Sequence, residues 1–158
     1  MLKIHPFLWF DDKAEEAMRF YCSIFPNSKV NKVSVMPDTT TGEPGDIMTV
    51  ECELDGLSVT ALNAGPGDPF NTSMSLYVET ADQAETDKYW NALLADGGVP
   101  KPCGWLVDKF GVYWQVAPRA MLELFDDPDR KAAARAFGAM LNMGKIELKE
   151  IERAFRGK

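Results

Sequence analysis

Histidine is nearly absent from this sequence: His5 is the only one in 158 residues. That excludes an imidazole-rich metal centre, or a site needing two histidines, within one chain. Cysteine is scarce as well, with Cys22, Cys52 and Cys103 making an odd count without the paired spacing of metal-binding thiols. A disulfide framework is therefore not expected, and reduced thiols in a cytoplasmic protein are. No apolar run approaches the ~20 residues of a membrane span, and residues 1–10, interrupted by His5 and Pro6, do not make a signal peptide. A soluble protein without a membrane partner is the expectation. Basic blocks are missing too. Lys and Arg number 17 against 24 Asp and Glu, for a net charge of -7 that repels a phosphate backbone and argues against a nucleic-acid partner.

What the chain does have is a hydrophobic content of 46% with 26% charged residues, enough apolar side chain for a packed domain of ordinary size. Residues 4–10 form a short apolar strand. Asp12 then has the character of a helix cap, with Glu15 in capping-box position, and Ala14, Ala17, Met18, Tyr21 and Phe25 recur at helical spacing up to the stop at Pro26-Asn27-Ser28. Strands are expected at 30–36 and, after a polar loop over 37–46, at 47–54, where Met48, Val50, Cys52 and Leu54 alternate with polar residues. Asp55-Gly56 is a two-residue hairpin signal leading to a strand at 57–63. The first module reads βαβββ.

After the breaker stretch 65–69 the order restarts. A strand at 73–78 is followed by Thr80 as a cap, with Gln83 three residues on, and a helix to about 95 that Gly97-Gly98 closes. Strands at 103–107 and 112–117 flank the turn Asp108-Lys109-Phe110-Gly111. The helices of the two modules carry aromatic pairs, Phe20-Tyr21 and Tyr89-Trp90, at similar distances from the preceding strand, a repeat of pattern rather than of sequence. Beyond Pro118 the pattern turns helical: 119–125, then a helix capped by Asp127 with Pro128 in its first turn and running to about 141, then 146–155 with Leu148, Ile151, Ala154 and Phe155 on one face. The domain reading is a paired-module domain over 1–118, with modules at about 1–64 and 72–118, and a helical extension over 119–158 packed on that domain or on a dimer partner.

Four stretches, FLWFDDKAEEAMRFYCSIFPNSKV, TALNAGPGDPFNTSMSLYVE, CGWLVDKFGVYWQVAP and AMLNMGKIELKEIERAF, taken in this order, resemble the PhnB-like branch of the vicinal-oxygen-chelate (glyoxalase-like) superfamily. The resemblance implies an α+β fold of paired βαβββ modules forming an open curved sheet around a concave pocket, and a homodimer. In metal-dependent members the ligands come from the first, fourth, fifth and eighth strands. Carried onto this chain, those places fall at His5 or Pro6, near Ala61 or Asn63, at Ser73 and at Gln115. Only His5 is a good ligand, so neither a metal nor another cofactor is expected. Such sequences are often labelled as methyltransferases acting on a demethylated ubiquinone precursor. No strand here leads through a glycine-rich loop into a helix, as a nucleotide-like cofactor requires, and that label has no support in the residues.

If the strands at the metal positions keep their facing, alternation turns Phe7 and Trp9 inward with His5, Asn63 with Ala61, Ser75 and Tyr77 with Ser73, and Tyr113 with Gln115. That makes an aromatic-walled pocket with amide and hydroxyl groups for a small, partly aromatic or amphiphilic ligand. Phe7 and Trp9 either touch such a ligand or are plain core. His5 has the chemistry of a general base, or is a solvated residue at a strand's start. Cys103 is a candidate nucleophile, or a structural thiol. Tyr113 is a third candidate for proton transfer. Asn63 orients a ligand carbonyl or binds backbone at a strand end, Asp108 and Lys109 read as turn-formers, and Trp105 and Trp114 as packing residues. Three functions remain open: a metal-free binding module; a small-molecule enzyme, an isomerase, lyase or transferase, either metal-independent and using His5, Cys103 or Tyr113 or dependent on a divalent metal; and a structural role in which the C-terminal helices dock on a partner.

Overall fold

The computed structural model describes residues 3–38, 43 and 45–158; residues 1–2, and 39–42 and 44 of the expected 37–46 loop, lie outside the described residues. The chain divides into two units, Met1–Asp68 and Pro69–Lys158. Among the described residues no helix is long and apolar enough to cross a membrane.

The first unit runs β1 (Phe7–Phe10), α1 (Ala14–Ile24), β2 (Lys29–Val35), β3 (Ile47–Leu54) and β4 (Leu57–Asn63), in a sheet ordered β1-β4-β3-β2. β1 lies parallel to β4 and the other pairs are antiparallel. Asp55 and Gly56 both take positive φ, 45° and 86°, as the tight β3–β4 hairpin requires. One face of the sheet is covered by α1. There Leu8, Phe10, Val50, Cys52, Val59 and Ala61 are buried with Ala14, Ala17, Met18 and Tyr21, since a helix and a sheet each bury one apolar face against the other.

β1 starts at Phe7 rather than at Ile4, because Pro6 has no N–H to give a ladder; its carbonyl still accepts from the Thr60 N–H at 3.1 Å. Asp12 does not cap α1. The helix begins two residues later, and the N–H of Ala14 is taken at 2.8 Å by Asn63 Oδ1 from the end of β4. A residue distant in sequence satisfies the orphan donor that a local cap would otherwise fill.

The second unit repeats the plan: β5 (Leu76–Thr80), α2 (Gln83–Leu94), β6 (Val99–Pro100), β7 (Trp105–Val107) and β8 (Tyr113–Pro118), in a sheet ordered β5-β8-β7-β6. β6, two residues long and ended by a proline-bearing loop, is the strand the sequence pattern does not reveal. The cap of α2 is Asp82, whose side chain accepts from the Glu85 N–H at 2.9 Å while Glu85 Oε2 accepts from the Ala81 N–H at 2.7 Å. Thr80 is instead the buried last residue of β5, its hydroxyl 2.6 Å from that of Thr86.

Three more helices complete this unit: α3 (Arg119–Phe125), α4 (Arg130–Met140) and α5 (Leu148–Phe155). Asp129 rather than Asp127 caps α4, accepting from the N–H groups of Lys131 and Ala132. Met121, Ala136, Met140, Ile146 and Ile151 bury a second core together with Ala117 of β8. Gln83 ties this layer to α2, donating to the Ile146 carbonyl at 2.9 Å and accepting from the Leu148 N–H at 2.8 Å.

Candidate functional site

Register decides which side chains share a face. In the first unit Phe7 lies beside Thr60 and Trp9 beside Leu62, whereas Leu8 lies beside Ala61 and Phe10 beside Asn63. Phe7 and Trp9 therefore stand on the face away from α1, 58% and 50% exposed. His5 belongs with them, its Nε2 3.1 Å from Thr60 Oγ1. Trp9 is anchored by its indole N–H, which donates to the Gly65 carbonyl at 2.9 Å, and a Cβ on Gly67 would sit 3.1 Å from the ring. Asn63 does not join this group. Its amide faces the helix, accepting from Ala14 and donating to the Ile47 carbonyl at 3.2 Å.

In the second unit Tyr77 pairs with Gln115, and Gln115 with Trp105, so the three form one row across β5, β8 and β7. Tyr113, two residues earlier on β8, lies on the same face, while Trp114, Val116 and Leu106 are buried on the other. Trp105, read from sequence as packing, thus sits among the candidate residues. Only the β7–β8 register could have shown it. Gln115 is held by its Nε2, which donates to Ser75 Oγ at 2.8 Å and leaves the amide oxygen as an acceptor on the open face. Burial, and secondarily Glu79, push the Tyr77 hydroxyl above its ordinary value, which keeps it a neutral donor at physiological pH. Ser73 lies outside β5, exposed, with its N–H turned to Asn71 Oδ1.

The turn after β7 is clamped by Asp108, 3% exposed. Its Oδ1 accepts from the N–H groups of Phe110 and Val112 at 2.8 and 3.0 Å, and its Oδ2 from the Trp114 indole at 2.8 Å. Across the hairpin, the β6–β7 loop turns tightly: the Lys101 N–H reaches the Trp105 carbonyl at 2.8 Å, with Cys103 and Gly104 at φ of 62° and 79°. Here a Cβ on Gly104 would stand 2.9 Å from the Val116 carbonyl oxygen, so glycine is required. This loop and strand enclose a cleft of 440 Å³ lined by Thr72, Lys101, Pro102, Cys103, Trp105 and Tyr113.

The cleft can stack a planar group on Trp105 and Tyr113 and hydrogen-bond it through Thr72 or the tyrosine hydroxyl. Among the described residues no carboxylate or imidazole lines it to act as a base for Cys103 or Tyr113. Of the other thiols, Cys52 is buried beside Met18 and pushed up to about 12, chiefly by burial, which makes it inert at neutral pH.

The first unit has its own concavity of 1080 Å³ beside the start of α1, rimmed by Asp11, Asp12, Glu15, Glu16 and Asp46. Those carboxylates do not converge: among the described residues no group of three or more His, Cys, Asp and Glu is placed to hold a metal ion. Of the positions where superfamily metal ligands are expected, Asn63 is spent on backbone groups, Gln115 offers only a neutral amide oxygen, and Ser73 and His5 remain. Neutral amide and hydroxyl oxygens with one imidazole do not fit a divalent transition metal.

The model of the family described as 3-demethylubiquinone-9 3-methyltransferase matches residues 2–117. The chain belongs to this family. Its fold is that of the vicinal-oxygen-chelate superfamily. The PhnB protein of Bacillus cereus is 32% identical over 74% of this chain and 99% of its own, with a TM-score of 0.65. Protein PA1353 of Pseudomonas aeruginosa is 24% identical, covering 75% of this chain and 98% of its own, at a TM-score of 0.60. The fosfomycin resistance protein FosX of Mesorhizobium loti, 12% identical over 78% of this chain and 98% of its own, shares the fold at a TM-score of 0.54. No curated protein matches the sequence. The family model ends at residue 117, so α3–α5 lie beyond it, although they share a core with β8.

Proposed function

We propose that this member of the family binds a small, partly aromatic or amphiphilic molecule on the face of its second sheet that carries Trp105, Tyr113 and Gln115, without a metal. The observation that carries this reading is the 440 Å³ cleft, whose walls are aromatic and aliphatic and whose polar groups are few. Concave, mostly apolar sites with a small number of placed polar groups are the usual form of small-molecule sites. Trp105 and Tyr113 supply the stacking surface, and Gln115, with Ser75 behind it and Tyr77 beside it, offers hydrogen bonds along the same face. Phe7 and Trp9 are candidates for the same kind of contact on the first sheet. The methyl transfer in the family's description is not part of the proposal, because both strand-to-helix turns, Asp11-Asp12-Lys13 and Ala81-Asp82, lack glycine and are acidic, the wrong character for a phosphate- or nucleoside-bearing cofactor.

Native and denaturing mass spectra of the purified protein test the proposal. An organic adduct retained by the parent chain and lost in Trp105→Ala supports it. Loss of a stacked indole from such a cleft costs about 2 kcal/mol, or roughly thirtyfold in affinity. An adduct that Trp105→Ala retains unchanged, or stoichiometric metal in its place, overturns it. The same spectra read the oligomeric state, for which the family resemblance leads us to expect a homodimer.

A further inference from the structure

Lys101, exposed, is the only charged residue lining the cleft among the described residues. It also borders a second concavity of 360 Å³, which shares Lys101 and Pro102 with the first and is walled by Leu141, Asn142, Met143 and Gly144 from the segment after α4. The two are built as one piece. The Cys103 N–H donates to the Met143 carbonyl at 2.7 Å and the Gly104 N–H to the Gly144 carbonyl at 2.8 Å, so the wall of the second concavity is fastened to the loop that forms the first. Again Lys101 is the only charged residue lining it among the described residues. Its ammonium has no carboxylate partner among the described residues, although the chain carries a net charge of -7 and other lysines of this unit are paired: Lys145 with Asp87 and Glu147, and Lys109 with Asp96.

From this arrangement we propose that the ligand is an amphiphilic anion. Its ring rests on Trp105 and Tyr113, its acid group meets Lys101 at the junction of the two concavities, and its apolar remainder lies against Pro102, Leu141 and Met143. An unpaired cation flanked on both sides by apolar wall matches a molecule with one anionic group between two apolar ends. A neutral ligand would leave the charge unused, and a cationic one would be repelled. Leu141, half-exposed, is the apolar surface such a tail would cover. Because that wall follows residue 117, the tail contact would set this chain apart from relatives that end with the family's core. The inference rests on the binding role proposed above, and its test separates the two.

Two fluorescent probes of like shape make that test. They are 1-anilinonaphthalene-8-sulfonate, which is anionic, and N-phenyl-1-naphthylamine, which is neutral, titrated against the parent chain and against Lys101→Met, which keeps the aliphatic stem. The anionic probe is expected to bind the parent more tightly than the neutral one and to weaken with added salt. In Lys101→Met it is expected to bind roughly fivefold more weakly, the scale of an exposed ion pair, with the neutral probe unchanged. Equal affinities for both probes in both proteins would overturn the anion assignment and leave the binding role standing. Binding of neither probe to the parent would overturn the binding role, and the anion assignment with it. Leu141→Asp adds a second arm: weaker binding of both probes supports the shared groove, and unchanged binding removes the tail contact from the proposal.

Discussion

Replacing Asp108 tests whether one buried carboxylate holds the β7–β8 hairpin that brings Trp105, Tyr113 and Gln115 to one face. Its Oδ1 receives two backbone N–H groups of the β7–β8 turn, and its Oδ2 the indole N–H of buried Trp114. Hydrogen bonds to a charged acceptor contribute about 1.5 kcal/mol each, and a donor left buried without a partner costs a comparable amount. Asp108→Ala removes all three, for an expected loss of about 4 kcal/mol. Asp108→Asn keeps the two bonds to Oδ1 but turns an amide NH2 toward the indole N–H, so about 2 kcal/mol is expected. At 2–4 °C per kcal/mol for a chain of this length, the midpoints should fall by about 6 °C in Asp108→Asn and about 12 °C in Asp108→Ala. Thermal melts followed by far-ultraviolet circular dichroism measure the midpoints, and urea unfolding the free energies. Equal stability of the two variants, or an Asp108→Asn protein as stable as the parent, would refute the assignment of separate roles to the two oxygens.

Gly104→Ala is expected to destabilise the chain by about 3 kcal/mol, from a positive φ and a Cβ 2.9 Å from a carbonyl oxygen. Gly138→Ala, in α4 with nothing within 4 Å of its Cβ, should stabilise by about 0.5–1 kcal/mol in the same melts. Gln83→Leu breaks the side-chain bonds to Ile146 and Leu148, so hydrogen exchange at the Leu148 amide should accelerate, with a loss of about 2 kcal/mol in urea unfolding. Asp87 is held below the ordinary carboxylate value of 3.8 by its bond to Lys145, and then by Gln83. A group depressed in the folded state contributes stability above the unfolded value and loses it as pH falls through the folded one. The melting-temperature gap between the parent and Asp87→Asn should therefore be present at pH 5 and close as pH drops below about 3.8. It should stay small, because the pair is solvent-exposed.

β3 and β4 were legible from sequence to the residue, because strict alternation and the Asp55-Gly56 turn leave few other registers. The helix starts were less so. Near α2 and α4 several residues able to cap stand within two positions of one another, and the choice between Thr80 and Asp82 fell to the burial of Thr80 against Thr86, which sequence does not display. The candidate site was half legible. Tyr113 and Gln115 share a face as alternation within β8 requires, and the β5–β8 register sets Tyr77 beside Gln115. Asn63 went to the helix side and Trp105 to the open side because the register between strands, not the period within one, fixes those neighbours. Lys101 gave no signal at all. It is an ordinary loop residue until the loop folds back between two concavities.

The indole region of a nitrogen-15 correlation spectrum tests the binding site most directly, because the chain has four tryptophans, Trp9, Trp90, Trp105 and Trp114. Titration with 1-anilinonaphthalene-8-sulfonate, with Trp105→Phe used to assign the signal, should shift the Trp105 indole and the backbone amides of Cys103 and Gly104 and leave buried Trp90 and Trp114 in place. Shifts centred on Trp9 alone, or no shift at Trp105 at saturating probe, would contradict the placement of the site on the second sheet.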